Sequence, residues 1–152
     1  MRILLVCLGN ICRSPMAEGV LRHRALERGI VISTDSAGTG DYHVGEAPDR
    51  RAQAAMRMQG MDIGDLRARH FTRADFDRFD LLLAMDAENL RNIKALAPSA
   101  EHAAKAMLIM DHAPDHPLRE VPDPYYGSDE GFHAVFAQLD EACQRLLDGI
   151  QR

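Results

Sequence analysis

Cysteine is scarce: the 152-residue chain has three, with no C-x-x-C, no H-E-x-x-H and no paired Cys/His spacing of the zinc type. Three is too few and too odd a number for a secreted disulfide scaffold, so the sequence predicts a reducing cytoplasm, no metal site and no cofactor. Lysine is scarcer still, and neither Lys94 nor Lys105 follows a glycine, so the G-x-x-x-x-G-K-[ST] nucleotide loop is missing. The longest apolar runs, Ile3 to Leu8 and Leu81 to Met85, fall far short of the roughly 20 residues a membrane helix needs, and Ile3 to Leu8 is too short for a signal-peptide core. No membrane partner is expected. Excess positive charge is lacking too: 18 Lys plus Arg against 23 Asp plus Glu give a net charge of −5, which disfavours a nucleic-acid partner. The charge is uneven, however, because residues 1–30 carry five Arg against two acids. An anion can still be drawn to the N-terminal region.

Apolar runs of strand length alternate with helix-period segments, without linker or repeat. This pattern predicts an α/β fold in a single domain over 1–152: a four-stranded parallel sheet with helices on both faces. Ile3 to Val6 is an unbroken apolar run, as expected of a central strand covered on both sides. Ser14 and Pro15 read as N-cap and first position of a helix that stops at Gly29. Val31 to Thr34 reads as strand two, followed by a loop from Asp35 to Gly45. Residues 49–59 read as a helix, the stretch from Thr72 to Phe79 as a short one, Leu81 to Met85 as strand three, Asp86 as the cap of the next helix, and Ala106 to Met110 as strand four. Residues 111–131 hold four Pro, six acids and one Arg, the composition of a long surface loop. Phe132, Val135, Phe136, Leu139, Cys143, Leu146 and Ile150 then share one face of a final helix.

Chemistry concentrates where strand one meets helix one, in Cys7-Leu8-Gly9-Asn10-Ile11-Cys12-Arg13-Ser14-Pro15. A strand, a tight turn and a helix start bring successive backbone N–H groups to one point, which is an anion-binding loop between strand one and helix one. Gly9 and Asn10 are the candidates for the left-handed conformation of such a turn. Arg13 can grip two phosphate oxygens in a bidentate fork. Cys7 would lie beneath the bound phosphorus, its thiolate favoured by the helix terminus, the Arg and the Ser14 hydroxyl.

The run C-L-G-N-I-C-R-S-P after an N-terminal strand resembles the low molecular weight protein tyrosine phosphatase family. The similarity extends along the chain through Asp35-Ser36-Ala37-Gly38-Thr39, Ala68-Arg69, Asp80 to Asp86, and Asp123-Pro124-Tyr125-Tyr126-Gly127. The resemblance implies Cys7 as nucleophile, Arg13 as phosphate clamp and Asp123 as general acid and base. It implies phosphotyrosine monoesters as substrates and a cysteinyl-phosphate as intermediate. The phosphate loop would comprise Leu8, Gly9, Asn10, Ile11, Cys12 and Arg13, supported by Asn10, Ser14 and Ser36. Tyr42, Tyr125 and Tyr126 would wall the slot for the phenol ring. Asp123 must carry a proton in the substrate complex, held there by the dianion and by burial, which predicts a slightly acidic optimum. Cys12 is implied as a reversible disulfide partner for Cys7 under peroxide. The expected partner is a phosphotyrosine-bearing protein, a tyrosine kinase among the candidates, and the enzyme is expected as a monomer or weak homodimer. One departure stands out: Leu66 occupies a place, two residues before Ala68-Arg69, where the family often has His. Two rivals share the motif: a thioredoxin-coupled arsenate reductase, which needs two further shuttle cysteines downstream, and a non-catalytic phosphopeptide-binding module, which predicts loss of Cys7 or Asp123.

Overall fold

The computed structural model describes residues 1–151. One sheet of four parallel strands, in the order β2-β1-β3-β4, forms the centre. Strand β1 (Arg2–Cys7) pairs on one side with β2 (Ser33–Gly38) and on the other with β3 (Leu81–Ala84), and β4 (Ala106–Leu108) closes the edge. Side chains alternate across β1, as the two-residue period of a strand requires. Ile3 and Leu5 enter the core beneath the long helices α1 (Arg13–Arg28) and α6 (Asp129–Gln151). Leu4 and Val6 enter a smaller core with Phe76 of α3 (Asp75–Arg78) and Ile93 of α4 (Ala87–Ala95). With both faces covered, an unbroken apolar strand is what burial selects. The remaining helices are α2 (Arg50–Met58) and α5 (Ala100–Ala103). No described helix is long and apolar enough to cross a membrane.

Several expected boundaries move. Helix α1 begins at Arg13, with Cys12 at the N-cap and no side-chain cap bond, so Ser14 lies inside the first turn and Pro15 is the third helical residue. The Ser14 hydroxyl is directed at Cys7 instead. Gly29 does end the helix, in the left-handed conformation at φ 68°. Strand β2 is shifted toward the C-terminus of the expected Val31 to Thr34: Val31 is 93% exposed, while Asp35 to Gly38, expected in a loop, pair with Leu4 to Cys7. Strand β4 stops at Leu108, because Ile109–His112 wind into a 3-10 turn. Helix α5, which the apolar pattern does not signal, is capped by Ser99, whose hydroxyl accepts from the His102 N–H. Asp86 caps α4 as expected, accepting from the Asn89 N–H.

Candidate active site

The carboxyl end of β1 runs directly into the turn 8–12 and then into α1, so the strand's last residue, Cys7, lies under the helix N-terminus. The loop's carbonyls are tied outward: Cys7 O accepts from Thr39 N, Leu8 O from Gly40 N and Ile11 O from Asp49 N, at 2.8–2.9 Å. In a trans peptide the N–H points opposite to the C=O. These ties therefore turn the N–H groups of Leu8, Gly9 and Cys12 toward the inside of the ring, where an anion would sit. The left-handed residue of the turn is Asn10, at φ 59°, whereas Gly9 has no positive φ. Gly9 is instead a place of close approach, since a Cβ there would lie 3.1 Å from the His43 ring.

Hydrogen bonds fix the sulfur from below. Asn10 N–H donates to Cys7 Sγ (3.2 Å), and Ser14 Oγ lies 3.0 Å from the same sulfur. Asn10 Oδ1 accepts from the Arg69 backbone N–H at 3.0 Å, which leaves Asn10 Nδ2 to donate to Ser14 Oγ at 2.8 Å. With its lone pair occupied in this way, the Ser14 hydroxyl is free to donate to sulfur. Ser36 does not join the network. Its side chain lies near the buried Glu18 of α1 instead. Leu66 is partly buried and packs on the main core. The link to Asn10 comes from a backbone N–H, so the loop's support does not depend on a histidine at 66.

Arg13 is buried with its guanidinium over the loop. Its Nη1 donates to Asp86 Oδ2 (2.7 Å) and Val121 O (3.0 Å), and its Nη2 lies 3.7 Å from Asp123 Oδ2. Burial alone would loosen the Arg13 proton, but the negative charges of Cys7, Asp86 and Asp123 outweigh it and hold the pKa above the usual arginine value. Asp86 thus has two tasks: one carboxylate oxygen caps α4 and the other aims Arg13. Cys12 is buried beside the loop, and burial, then the charges of Asp49 and Cys7, push its thiol pKa well up. All three cysteines are free.

Above the loop opens a cavity of about 380 Å³, lined by Cys7, Leu8, Gly9, Ile11, Cys12, Arg13, Tyr42, His43, Asp123, Tyr125 and Tyr126. Tyr125 and Tyr126 stand edge to face, with ring centroids 5.0 Å apart. Tyr42 and Tyr126 are largely exposed on the rim. Asp123 is also at the rim, its side chain 37% exposed, so the burial expected from sequence does not operate. Its Oδ1 accepts from the Tyr125 N–H at 3.0 Å. The geometry therefore gathers Cys7, Arg13, Asp123 and the three tyrosines around one space and leaves Ser36 outside. Sequence reasoning missed His43, the aiming role of Asp86 and the backbone of Arg69. The Ala68-Arg69 segment was the one sequence signal for the last of these.

The chain matches the family model for low molecular weight phosphotyrosine protein phosphatase over residues 2–152. A Synechocystis protein provisionally named a low molecular weight protein-tyrosine-phosphatase is 45% identical over 152 residues, covering 99% of this chain and 96% of its own. The crystal structure of YfkJ from Bacillus subtilis is 38% identical, with a TM-score of 0.91 over 99% of this chain and 94% of its own. A protein tyrosine phosphatase from Entamoeba histolytica, solved with Hepes in its active site, superposes with a TM-score of 0.95 at 35% identity, covering 99% of this chain and 97% of its own. Alike in sequence from end to end and alike in fold, the chain belongs to the low molecular weight phosphotyrosine protein phosphatase family.

Proposed function

We propose that the protein hydrolyses phosphotyrosine in protein substrates through a cysteinyl-phosphate, with Cys7 as nucleophile, Arg13 as phosphate clamp and Asp123 as general acid and base. The observation that carries this reading is the stack of three groups along one line of approach. Cys7 sulfur lies at the floor of the cavity, the inward N–H groups and Arg13 surround the space above it, and Asp123 lies 3.7 Å from Arg13 at the mouth. The thiolate attacks phosphorus, the bond from phosphorus to the phenolic oxygen breaks, and Asp123 gives its proton to the leaving oxygen. Water then attacks the cysteinyl-phosphate, Asp123 takes the water's proton, and the sulfur–phosphorus bond breaks to release inorganic phosphate and restore the thiolate. Arg13 and the loop N–H groups stabilise the charge on the equatorial oxygens in both steps. The dianion in the loop is the charge that favours a proton on Asp123.

Tyr42, Tyr125 and Tyr126 form the walls that suit a flat phenol ring. The substrate is accordingly a phosphotyrosine-bearing protein, tyrosine kinases included, and a thiolate nucleophile suits a reducing cytoplasm. Arsenate reduction is disfavoured, because its shuttle needs two further cysteines downstream, and only Cys143, buried in the core, follows Cys12. The test is hydrolysis of p-nitrophenyl phosphate and of a phosphotyrosine peptide, with and without EDTA. Turnover should survive EDTA and vanish in Cys7→Ser, and kcat/KM on the phosphotyrosine peptide should fall by about 10²-fold or more in Asp123→Ala, with a smaller fall on p-nitrophenyl phosphate, whose leaving group needs less acid help. Full activity in Cys7→Ser would overturn the mechanism.

A further inference from the structure

The segment that carries Asp123 is gripped at both ends. Upstream, Val121 N–H donates to Met85 O at 2.8 Å and Val121 O accepts from Arg13 at 3.0 Å. Downstream, among the described residues, the only hydrogen bonds reaching residues 122–127 from outside come from one side chain, Arg51. Its Nη2 donates to Tyr125 O at 2.9 Å and its Nη1 to Gly127 O at 3.3 Å. The same guanidinium grips Asp49 with Nε and Nη2, both at 3.1 Å, and the Asp49 N–H donates to Ile11 O of the phosphate loop at 2.8 Å. It lies 4.7 Å from the centroid of the Phe132 ring and 5.6 Å from that of Tyr125, so its plane is held by aromatic rings as well. Arg51 is not among the residues that line the cavity.

We infer that Arg51 is a positioning residue that couples the phosphate loop to the acid-bearing segment and so sets where Asp123 stands as the phenol departs. The inference rests on the reading of Asp123 as general acid. The path is short: Arg51 holds the Tyr125 carbonyl, and the Tyr125 N–H holds the Asp123 carboxylate. Pro122 and Pro124 flank Asp123 and stiffen the span between the two grips. Only a guanidinium, with donors fanned in one plane, can meet Asp49 on one edge and two carbonyls on another. A lysine has the charge but not the fork.

The test uses leaving groups. The value of kcat/KM covers every step up to departure of the phenol, and a good leaving group needs little help from an acid. Arg51→Lys should lower kcat/KM for phenyl phosphate by about tenfold or more, and for p-nitrophenyl phosphate by about threefold at most. Competitive inhibition by inorganic phosphate should stay unchanged, because the loop itself is intact. Arg51→Gln, which keeps the stem against Phe132, should show the same split if the lysine variant folds poorly. Arg51→Lys combined with Asp123→Ala should be no slower than Asp123→Ala alone. Equal losses on both esters, or losses that multiply in the double variant, would overturn the inference and leave Arg51 a fold-supporting residue. If Asp123→Ala itself lost equally on both esters, the general-acid reading would fail, and this inference with it.

Discussion

Ser14 shows how one hydroxyl is drawn from a structural task to a chemical one. At a helix start a serine usually caps, satisfying one of the orphan N–H groups. Here α1 begins two residues earlier than a Ser14 cap would start it and has no side-chain cap, so its first N–H groups are left for an anion and Ser14 serves the sulfur. Cys12 makes the complementary case. Burial keeps it a thiol, so it does not compete with Cys7 as the first group to be oxidised, yet it stands within the same loop. We predict that peroxide converts Cys7 to a sulfenic acid, which Cys12 condenses to a disulfide with loss of water. Activity should then return with dithiothreitol in the wild type but only in small part in Cys12→Ser. Equal recovery in the two proteins would remove Cys12 from any protective role.

At the scale of elements, β2 positions the phosphate loop as much as β1 does. A Cβ at Gly38 would lie 2.7 Å from Leu8 O, the acceptor of one of the ties that shape the ring, and 3.1 Å from Gly40 O. Gly38→Ala should push the loop off its place and lower kcat/KM on p-nitrophenyl phosphate by roughly 10²-fold, the scale of a misplacement of about an ångström. Unchanged kinetics would mean that the ring has slack there. The same strand shows why part of the fold was hard to read. Its sequence, STDSAG, has little strand propensity, and it is extended because each residue from Ser33 to Gly38 finds a partner on β1. Nothing local reports that pairing, whereas the flanking Val31, with the better propensity, is out in solvent. β1, the Gly29 stop, the Asp86 cap and the apolar face of α6 were legible, because each is written in local pattern. The residues proposed as nucleophile, clamp and acid were picked out by a motif and a resemblance, and the fold brings them to one cavity. Arg51 and the aim of Asp86 were not, since their meaning lies in what distant segments bring to them.

For the molecule as a whole, the packing of α1 on the sheet carries a buried acid. Glu18 is 4% exposed, and burial, with Asp35 adding to it, raises its pKa against the opposing pull of the nearby Ser36 hydroxyl, the charge of Arg22 and the Thr34 hydrogen bond. The folded chain therefore holds this proton more tightly than the unfolded one. Stability from this group is fullest below the ordinary Glu range and falls as pH rises through the folded pKa. Glu18→Gln removes that dependence. Its melting temperature should exceed the wild type's at pH 7, and the difference should shrink toward pH about 4, near the ordinary Glu value. A difference that stays constant with pH would assign the effect to packing.

The central place of β1 has a consequence in time. More than a hundred residues separate Cys7 from Asp123, and at about 5–20 residues per second of synthesis the thiol leaves the ribosome roughly ten seconds before the carboxylate proposed as its acid. Throughout that interval α1 has no α6 to cover its apolar face, although the two share one core in the finished fold. The nascent chain thus presents the proposed nucleophile before the proposed acid exists, and the two can face one another only after the last loop has emerged.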